Sequence, residues 1–248
     1  MKKFSRACVA MLAIAAAVPA TAFAEEEIAD GITISGEAAV VSDYRFRGFS
    51  QNGEDFAIQG GITIGHESGL YLGTWGSSIN FANGTEIDVF AGYSTELGSG
   101  ITGDIGLNAY FYPGGGSGTT ILEPYASLSG DIGPASLTVG AAWAPGGQSA
   151  LSDHSAIYVY SDVGVAIPDT PLTLKGHVGY SKSDSALGGF DGDVFDYSIG
   201  VDLSYKALTF GVAYVNTDAP KRATPDYGNF KEGVGADGAV VFSLGASF

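Results

Sequence analysis

The end of the chain, residues 238–248, alternates between an apolar face and a face of mostly small or polar side chains. One face of the extended strand that this predicts carries Val240, Phe242, Leu244, Ala246 and Phe248. The same period of two recurs in about twelve segments, separated by connections rich in Gly, Pro, Asn and Asp. Strands with one apolar and one polar face that recur in this way are typical of a closed barrel that crosses a membrane.

The N-terminus has the features of an export signal. Basic residues precede an apolar stretch over residues 7–18, and Ala22-Phe23-Ala24 follows as a small-x-small cleavage site. The apolar stretch is shorter than the ~20 residues that a membrane anchor needs. The sequence therefore predicts a signal peptide over residues 1–24 and a barrel over residues 25–248.

The charge balance restricts the partners of the chain. It contains 27 Asp and Glu against 11 Lys and Arg, a formal charge of −16, and three of the basic residues lie in the predicted signal. Such a chain repels nucleic acid and anionic surfaces. The only cysteine is Cys8, also in the signal, so the mature chain has no disulfide.

The polar faces of the predicted strands are strongly acidic. Against this excess stand three bases, Arg45, Arg47 and Lys175. A water-filled lumen with these side chains would favour cations. The alternative is a filled barrel whose interior charges are structural and whose interior tyrosines narrow the lumen. The predicted interior acids are Glu37, Asp43, Glu86, Asp88, Asp104, Glu123, Asp162, Asp196 and Asp202, and the tyrosines are Tyr110, Tyr112, Tyr125, Tyr158 and Tyr160.

The strand assignment contains one weak strand, the sixth. The first strand is predicted over residues 32–47, and the sixth, over residues 120–129, contains Pro124, which cannot donate a ladder hydrogen bond. Ten or fourteen strands remain open, because the sixth strand is weak and the last connection, residues 217–237, is long. Aromatic residues near strand ends are expected to form belts at the membrane interfaces. These are Tyr44, Phe46, Phe56, Tyr71, Phe81, Phe111, Trp143, Tyr205 and Phe248.

Catalytic and metal-binding patterns are missing from the sequence. His66, His154 and His177 stand in no nucleophile arrangement, and the Cys and His spacing of a metal site does not occur. Asp191 and Asp193 resemble part of a calcium loop, but the ligand series is incomplete. We therefore expect no enzyme activity, no metal and no cofactor.

The stretch over residues 40–51, VVSDYRFRGFSQ, is the most distinctive in the chain. Together with AIQGG at residues 57–61 and GLYLGTW at residues 69–75, it resembles the TorF-type porin family of conserved bacterial proteins of unknown function. The resemblance implies an outer-membrane barrel with a channel role. It defines no substrate, so no binding residue is carried over from it.

These observations predict an all-β protein, a transmembrane antiparallel up-and-down β-barrel of about twelve strands in the outer membrane of a Gram-negative bacterium. The expected function is a narrow porin-like channel for small cationic or neutral solutes. The alternative is a non-conducting structural or adhesion barrel that acts through its outer loops. A barrel enzyme acting on lipid is disfavoured, because the nucleophile arrangement is missing.

The expected partners are outer-membrane lipid and the barrel-assembly machinery. Phe242, Leu244 and Phe248 are the predicted C-terminal assembly signal. A homo-oligomer is left open. Asp43, Arg45 and Arg47 fall on one face of the first strand, so they are expected either to form an arginine ladder at the lumen mouth or to act as a structural ion network.

Overall fold

Twelve antiparallel strands form one closed barrel in the computed structural model, which describes residues 26–188, 192–220, 223–224 and 228–248. The predicted signal peptide lies outside the described residues and stays a prediction. The strands are β1 (Ile32–Val41), β2 (Ala57–His66), β3 (Leu70–Ser78), β4 (Thr85–Gly98), β5 (Ile101–Phe111), β6 (Ile121–Ile132), β7 (Ala135–Ala144), β8 (Ala156–Ala166), β9 (Leu172–Ser183), β10 (Gly192–Tyr205), β11 (Leu208–Thr217) and β12 (Ala239–Ser247).

The remaining elements are short. Glu26–Ala29 pairs with the first residues of β1, and α1 (Phe230–Gly233) lies in the last loop. Two-residue strands pair as Arg45–Phe46 with Phe49–Ser50 and as Ala223–Thr224 with Gly228–Asn229, and single 3-10 turns lie at Ala82–Gly84, Ser149–Leu151 and Ala186–Gly188. Within the described residues, no helix is both long and apolar enough to span a membrane.

The connections differ in length between the two ends of the barrel, as the sequence predicts. The short-turn end carries residues 67–69, 99–100, 133–134, 167–171 and 206–207. The long-loop end carries residues 42–56, 79–84, 112–120 and 145–155, together with the described parts of the connections that follow β9 and β11. This alternation is the arrangement of outer-membrane barrels, whose long loops face outward.

The seam between β1 and β12 closes the sheet. Its register runs from Ser243 opposite Val41 to Ser247 opposite Glu37. Beyond it, Phe248 N donates to Gly36 O at 2.9 Å, and Phe248 O accepts from Gly36 N at 2.7 Å. Closure satisfies the backbone groups that an open edge would leave unpaired in hydrocarbon.

Deleting Phe248 should weaken this seam. It removes two backbone hydrogen bonds and the ring that covers Gly36, which we expect to lower the stability of the folded barrel by about 1–3 kcal/mol. Heat-modified migration in gels and thermal unfolding in detergent measure the effect. Phe210→Ala is the matched control, because it removes an exposed phenyl ring on β11, away from the seam. Equal stability of the two variants would contradict the seam role.

The two faces of the strands follow the predicted alternation. In β12, Val240 is 54% exposed and Phe242 57%, while Val241 between them is 2% exposed. The outer face of the barrel is consequently apolar. It includes Ile58, Ile62, Ile64, Leu70, Leu72, Val89, Ile105, Leu107, Leu128, Val139, Val163, Leu174, Ile199, Phe210 and Val212.

Pro124 does not interrupt the sixth strand. The ladder between β6 and β7 ends at Tyr125 opposite Ala142, so Pro124 lies just past the last pair. Beyond that point β7 no longer pairs with β6, and the Gln148 side chain supplies the hydrogen bonds instead. Its Oε1 accepts from Leu122 N at 2.7 Å, and its Nε2 donates to Leu122 O at 3.0 Å.

The predicted belt position is wrong for three of the nine aromatic residues. Tyr71 lies inside, where its hydroxyl donates to Asp104 Oδ1 at 2.7 Å. Tyr44 and Phe46 also lie inside, because β1 ends at Val41 rather than at Arg47 and the chain then turns into the lumen. The other six are exposed: Phe56, Phe81, Phe111, Trp143, Tyr205 and Phe248.

Candidate functional site

The connection between β1 and β2 folds into the barrel over residues 42–52, which we call the inner hairpin. Arg45 pairs with Ser50 and Phe46 with Phe49, so Arg47 and Gly48 form the two-residue turn. Both turn residues have positive φ, 50° and 83°, as in a type I′ turn. Arginine rarely adopts this conformation, so contacts of the Arg47 side chain must stabilise it.

Arg47 reaches across the lumen to the far wall. Its Nη2 lies 2.8 Å from both Oε1 and Oε2 of Glu123 on β6. Its Cζ lies 4.1 Å from the centroid of the Tyr158 ring on β8, within the range of a cation–π contact. The inner hairpin follows β1, and β6 and β8 lie on the opposite side of the twelve-strand ring. Arg47 therefore links the two sides of the barrel.

Glu123 is held rigidly by its own wall. It is completely buried, and the hydroxyl of Tyr110 on β5 donates to its Oε2 at 2.8 Å. Phe46 of the inner hairpin packs edge-on against the Tyr110 ring, with centroids 6.0 Å apart. The carboxylate that receives Arg47 is therefore oriented by barrel strands rather than by the inner hairpin.

Arg45 fastens the base of the inner hairpin. Its Nε lies 2.5 Å from Asp43 Oδ2, and its Nη2 lies 3.1 Å from Glu54 Oε1. Its Nη1 donates to the carbonyl oxygens of Gly235 and Asp237 in the last loop, at 2.5 and 3.1 Å. Two outer connections are thereby joined inside the barrel mouth.

Apolar contacts complete the packing at the long-loop end. Tyr44 donates to Glu86 Oε1 at 2.6 Å and packs edge-on against Trp75, with centroids 5.5 Å apart. Phe49 packs against a buried cluster of Val194, Ala219 and Ala236. At this end of the lumen, the inner hairpin and the last loop occupy the space between the walls.

A second network lines the wall formed by β8, β9 and β10. His177 Nδ1 lies 2.6 Å from Asp162 Oδ1, and its Nε2 lies 2.9 Å from Asp196 Oδ1. The Tyr158 hydroxyl also lies 2.9 Å from His177 Nε2. Towards the short-turn end the wall becomes accessible, since the Asp162 side chain is 39% exposed.

The structure brings together some of the predicted lumen residues and separates others. It pairs Asp43 with Arg45, Glu123 with Arg47, and Lys175 with Asp202, the last at 3.0 Å. Asp162 and Asp196 meet through His177. In the described part of the chain, no salt bridge reaches Glu37, Glu86, Asp88 or Asp104.

Sequence reasoning missed one buried cation. Lys231, in α1, is 6% exposed, and its Nζ donates to Asn216 Oδ1 at 3.0 Å and to Thr217 O. It belongs to the longest loop, where strand periodicity says nothing about which side chains turn inward. A buried lysine in a loop has no local signal, because its partners lie on a distant strand.

Comparison with known proteins identifies the family of this chain. The model of a family described as a bacterial protein of unknown function, Gcw_chp, matches residues 25–248. The chain belongs to the Gcw_chp family. Gcw_chp and the TorF-type family are both described as bacterial proteins of unknown function. Membership of the TorF-type family itself stays a prediction. Among curated proteins, none matches this Gcw_chp chain.

Solved porins share the fold of this Gcw_chp barrel. The NanC porin is 14% identical, with a TM-score of 0.58, over 87% of this chain and 98% of that one. The KdgM porin is 10% identical, with a TM-score of 0.57, over 86% and 98%. KdgM in complex with disordered oligogalacturonate gives a TM-score of 0.54 at 10% identity, over 87% and 97%. At these identities the likeness establishes a porin-type barrel fold.

The side chains of the Gcw_chp barrel also bear on metal chemistry. Among the residues that the structure describes, no group of three or more His, Cys, Asp and Glu side chains could hold a metal ion. Asp191, half of the partial calcium-loop pattern, lies outside the described residues. The interior chemistry that the structure does show is ion pairing and hydrogen bonding to carboxylates.

Proposed function

We propose that this protein is a porin-like channel of the outer membrane, narrowed at the long-loop end by the inner hairpin. The observation that carries the proposal is a closed barrel with an apolar outer face and ionic side chains inside. A charged interior is costly in a purely structural core and useful where solutes must pass. Export by the predicted signal peptide and insertion by the barrel-assembly machinery belong to the same proposal.

The charges inside favour cationic or neutral solutes. Each buried interior base has an acidic partner or, for Lys231, oxygen partners, whereas Glu86, Asp88 and Asp104 have no salt bridge within the described residues. Asp88 Oδ1 is also buried without a hydrogen-bond partner among them. In their ionised form these carboxylates attract cations into a narrow, low-dielectric passage.

Current recorded under a salt gradient tests the proposal. The refolded mature barrel in a planar bilayer should give steps with a cation-favouring reversal potential. Asp162→Asn, which removes an accessible carboxylate from the lumen wall, should move that potential towards zero. Asp131→Asn is the matched control, since Asp131 is an exposed carboxylate near the turn at the end of β6. An anion-favouring potential would contradict the solute preference and point to Arg45, Arg47 and Lys175 as the filter.

The non-conducting alternative also has an observation in its favour. The inner hairpin fills the long-loop end, and Tyr44, Arg47 and Glu123 are each less than one-tenth exposed. In that case the outer loops would carry the function. Silence from a folded barrel, both with and without the Arg47 side chain, would support this alternative over the channel.

A further inference from the structure

The far wall of the lumen holds three side chains around the planar Arg47 guanidinium, and we call this group the Glu123–Tyr158 receptor. Three barrel strands build it, with Glu123 from β6, Tyr110 from β5 and Tyr158 from β8. Glu123 supplies a buried carboxylate, oriented by the Tyr110 hydroxyl at 2.8 Å. Tyr158 supplies an aromatic face. All three side chains are anchored on barrel strands and not on the inner hairpin.

The group that fills this receptor is the guanidinium of Arg47, from the same chain. It uses the two interactions that recognise guanidinium groups, a carboxylate at 2.8 Å and a ring face at 4.1 Å. The occupied state thus shows directly which chemistry the receptor accepts. It also shows that a guanidinium fits between Glu123 and Tyr158.

Arg47 is an imperfect ligand for the receptor. One nitrogen, Nη2, contacts both carboxylate oxygens, while Nε and Nη1 are buried without a hydrogen-bond partner in the described structure. The turn also holds Arg47 at a positive φ of 50°. Unsatisfied buried donors and an unfavourable backbone conformation both weaken its hold. A free guanidinium has no backbone constraint and can present two parallel N–H groups to Glu123.

We propose that the Glu123–Tyr158 receptor binds small organic cations that carry a guanidinium group, in competition with Arg47. A solute that takes the place of Arg47 releases the tip of the inner hairpin, so binding favours the open barrel. This inference rests on the proposed channel function and names the solute class that the channel admits. Arg47 then acts as a built-in competitor that keeps the mouth closed until such a solute arrives.

Binding of methylguanidinium to the folded mature barrel in detergent micelles tests the inference by calorimetry. Arg47→Ala empties the receptor and should bind the probe at least about tenfold more tightly than the wild type, because the competing charged hydrogen bond is gone. Adding Glu123→Gln should abolish the gain. Adding Asp131→Asn, which removes one exposed carboxylate from the same strand, should preserve it. Tetramethylammonium, which has no N–H donor, should bind more weakly.

A second variant guards against misfolding. Arg47→Gly also removes the side chain, and glycine suits the positive φ of the turn, so it should bind methylguanidinium as Arg47→Ala does. Equal affinity of wild type and both variants, or a gain that survives Glu123→Gln, would overturn the inference. Bilayer current from the same preparations separates the two proposals. Current without Glu123-dependent binding rejects the receptor alone, and Glu123-dependent binding without current rejects the channel.

Discussion

Replacing Arg47 with alanine is expected to raise the open fraction of the barrel on the order of ten- to a hundredfold. A hydrogen bond to a charged partner contributes about 1.5–3 kcal/mol, and each 1.4 kcal/mol is about a factor of ten. The substitution removes the contacts to Glu123 and Tyr158 that join the two sides of the lumen. Single-channel recording at a fixed voltage measures the open fraction directly.

A matched control separates the Arg47 contact from a general loss of positive charge. Lys182 is exposed near the end of β9, at the same end of the barrel, and Lys182→Ala removes one charge from outside the lumen. Its open fraction should stay within about twofold of the wild type, as expected for an exposed substitution. If Arg47→Ala and Lys182→Ala behave alike, the inner hairpin does not control the passage.

Removing Glu123 should release the inner hairpin rather than unfold the barrel. Glu123→Ala leaves the Arg47 guanidinium buried without its counter-charge, which costs about 3–5 kcal/mol if the arginine stays in place. The inner hairpin can avoid this cost by moving Arg47 into water. The barrel stays folded, since the strands that carry the receptor do not depend on the inner hairpin. Arg47, less than one-tenth exposed in the closed state, then becomes accessible, while Arg45 keeps its contacts with Asp43 and the last loop.

Limited digestion with trypsin, which cleaves after arginine and lysine, reports this release. Glu123→Ala should be cut after Arg47 at least about tenfold faster than the wild type, in keeping with a buried ion-pair cost of several kcal/mol. In Asp131→Asn, the control on the same strand, cleavage at this bond should stay at the wild-type rate. Protection of the bond after Arg47 in Glu123→Ala would mean that other contacts, such as those of Arg45 with the last loop, hold the whole inner hairpin in place.

The barrel itself follows from local patterns in the sequence. A strand between lipid and a polar interior must alternate, and β12 does so at every position from Val240 to Leu244. Pro124 makes the sixth strand look weak in the sequence, because local sequence does not show which ladder hydrogen bonds a strand residue must donate. The structure places it past the end of the β6–β7 ladder, where Gln148 supplies the hydrogen bonds. That outcome depends on the register between two strands.

The inner hairpin could not be predicted from the same patterns. Alternation continues in the sequence from Val41 to Arg47, which predicts a longer first strand with Tyr44 and Phe46 facing lipid. The chain leaves the sheet because Tyr44 hydrogen-bonds to Glu86 and Arg47 to Glu123. These partners lie 42 and 76 residues further along the chain. Arg47-Gly48 is also a weak turn signal, since asparagine or aspartate normally precedes the glycine.

The interior position of a side chain can be predicted from the sequence, but its ion-pair partner cannot. Periodicity put Glu123, Lys175 and Asp202 on lumen-facing positions, where the structure also finds them. It could not indicate that Lys175 would pair with Asp202 across neighbouring strands or that Arg47 would cross the lumen. Charge pairing depends on barrel radius and loop infolding, and neither is encoded in a single strand.

Arg47 crosses the lumen and lies against the Tyr158 ring in the structure. Nuclear Overhauser contacts in the folded mature barrel in micelles test this placement most directly. The structure predicts contacts between the Arg47 side chain and the Tyr158 ring protons, with Arg47 methylene shifts displaced by the ring current, because Cζ lies 4.1 Å from the ring centroid. Arg47 resonances at solvent-exposed positions, without contacts to Tyr158, would contradict the account.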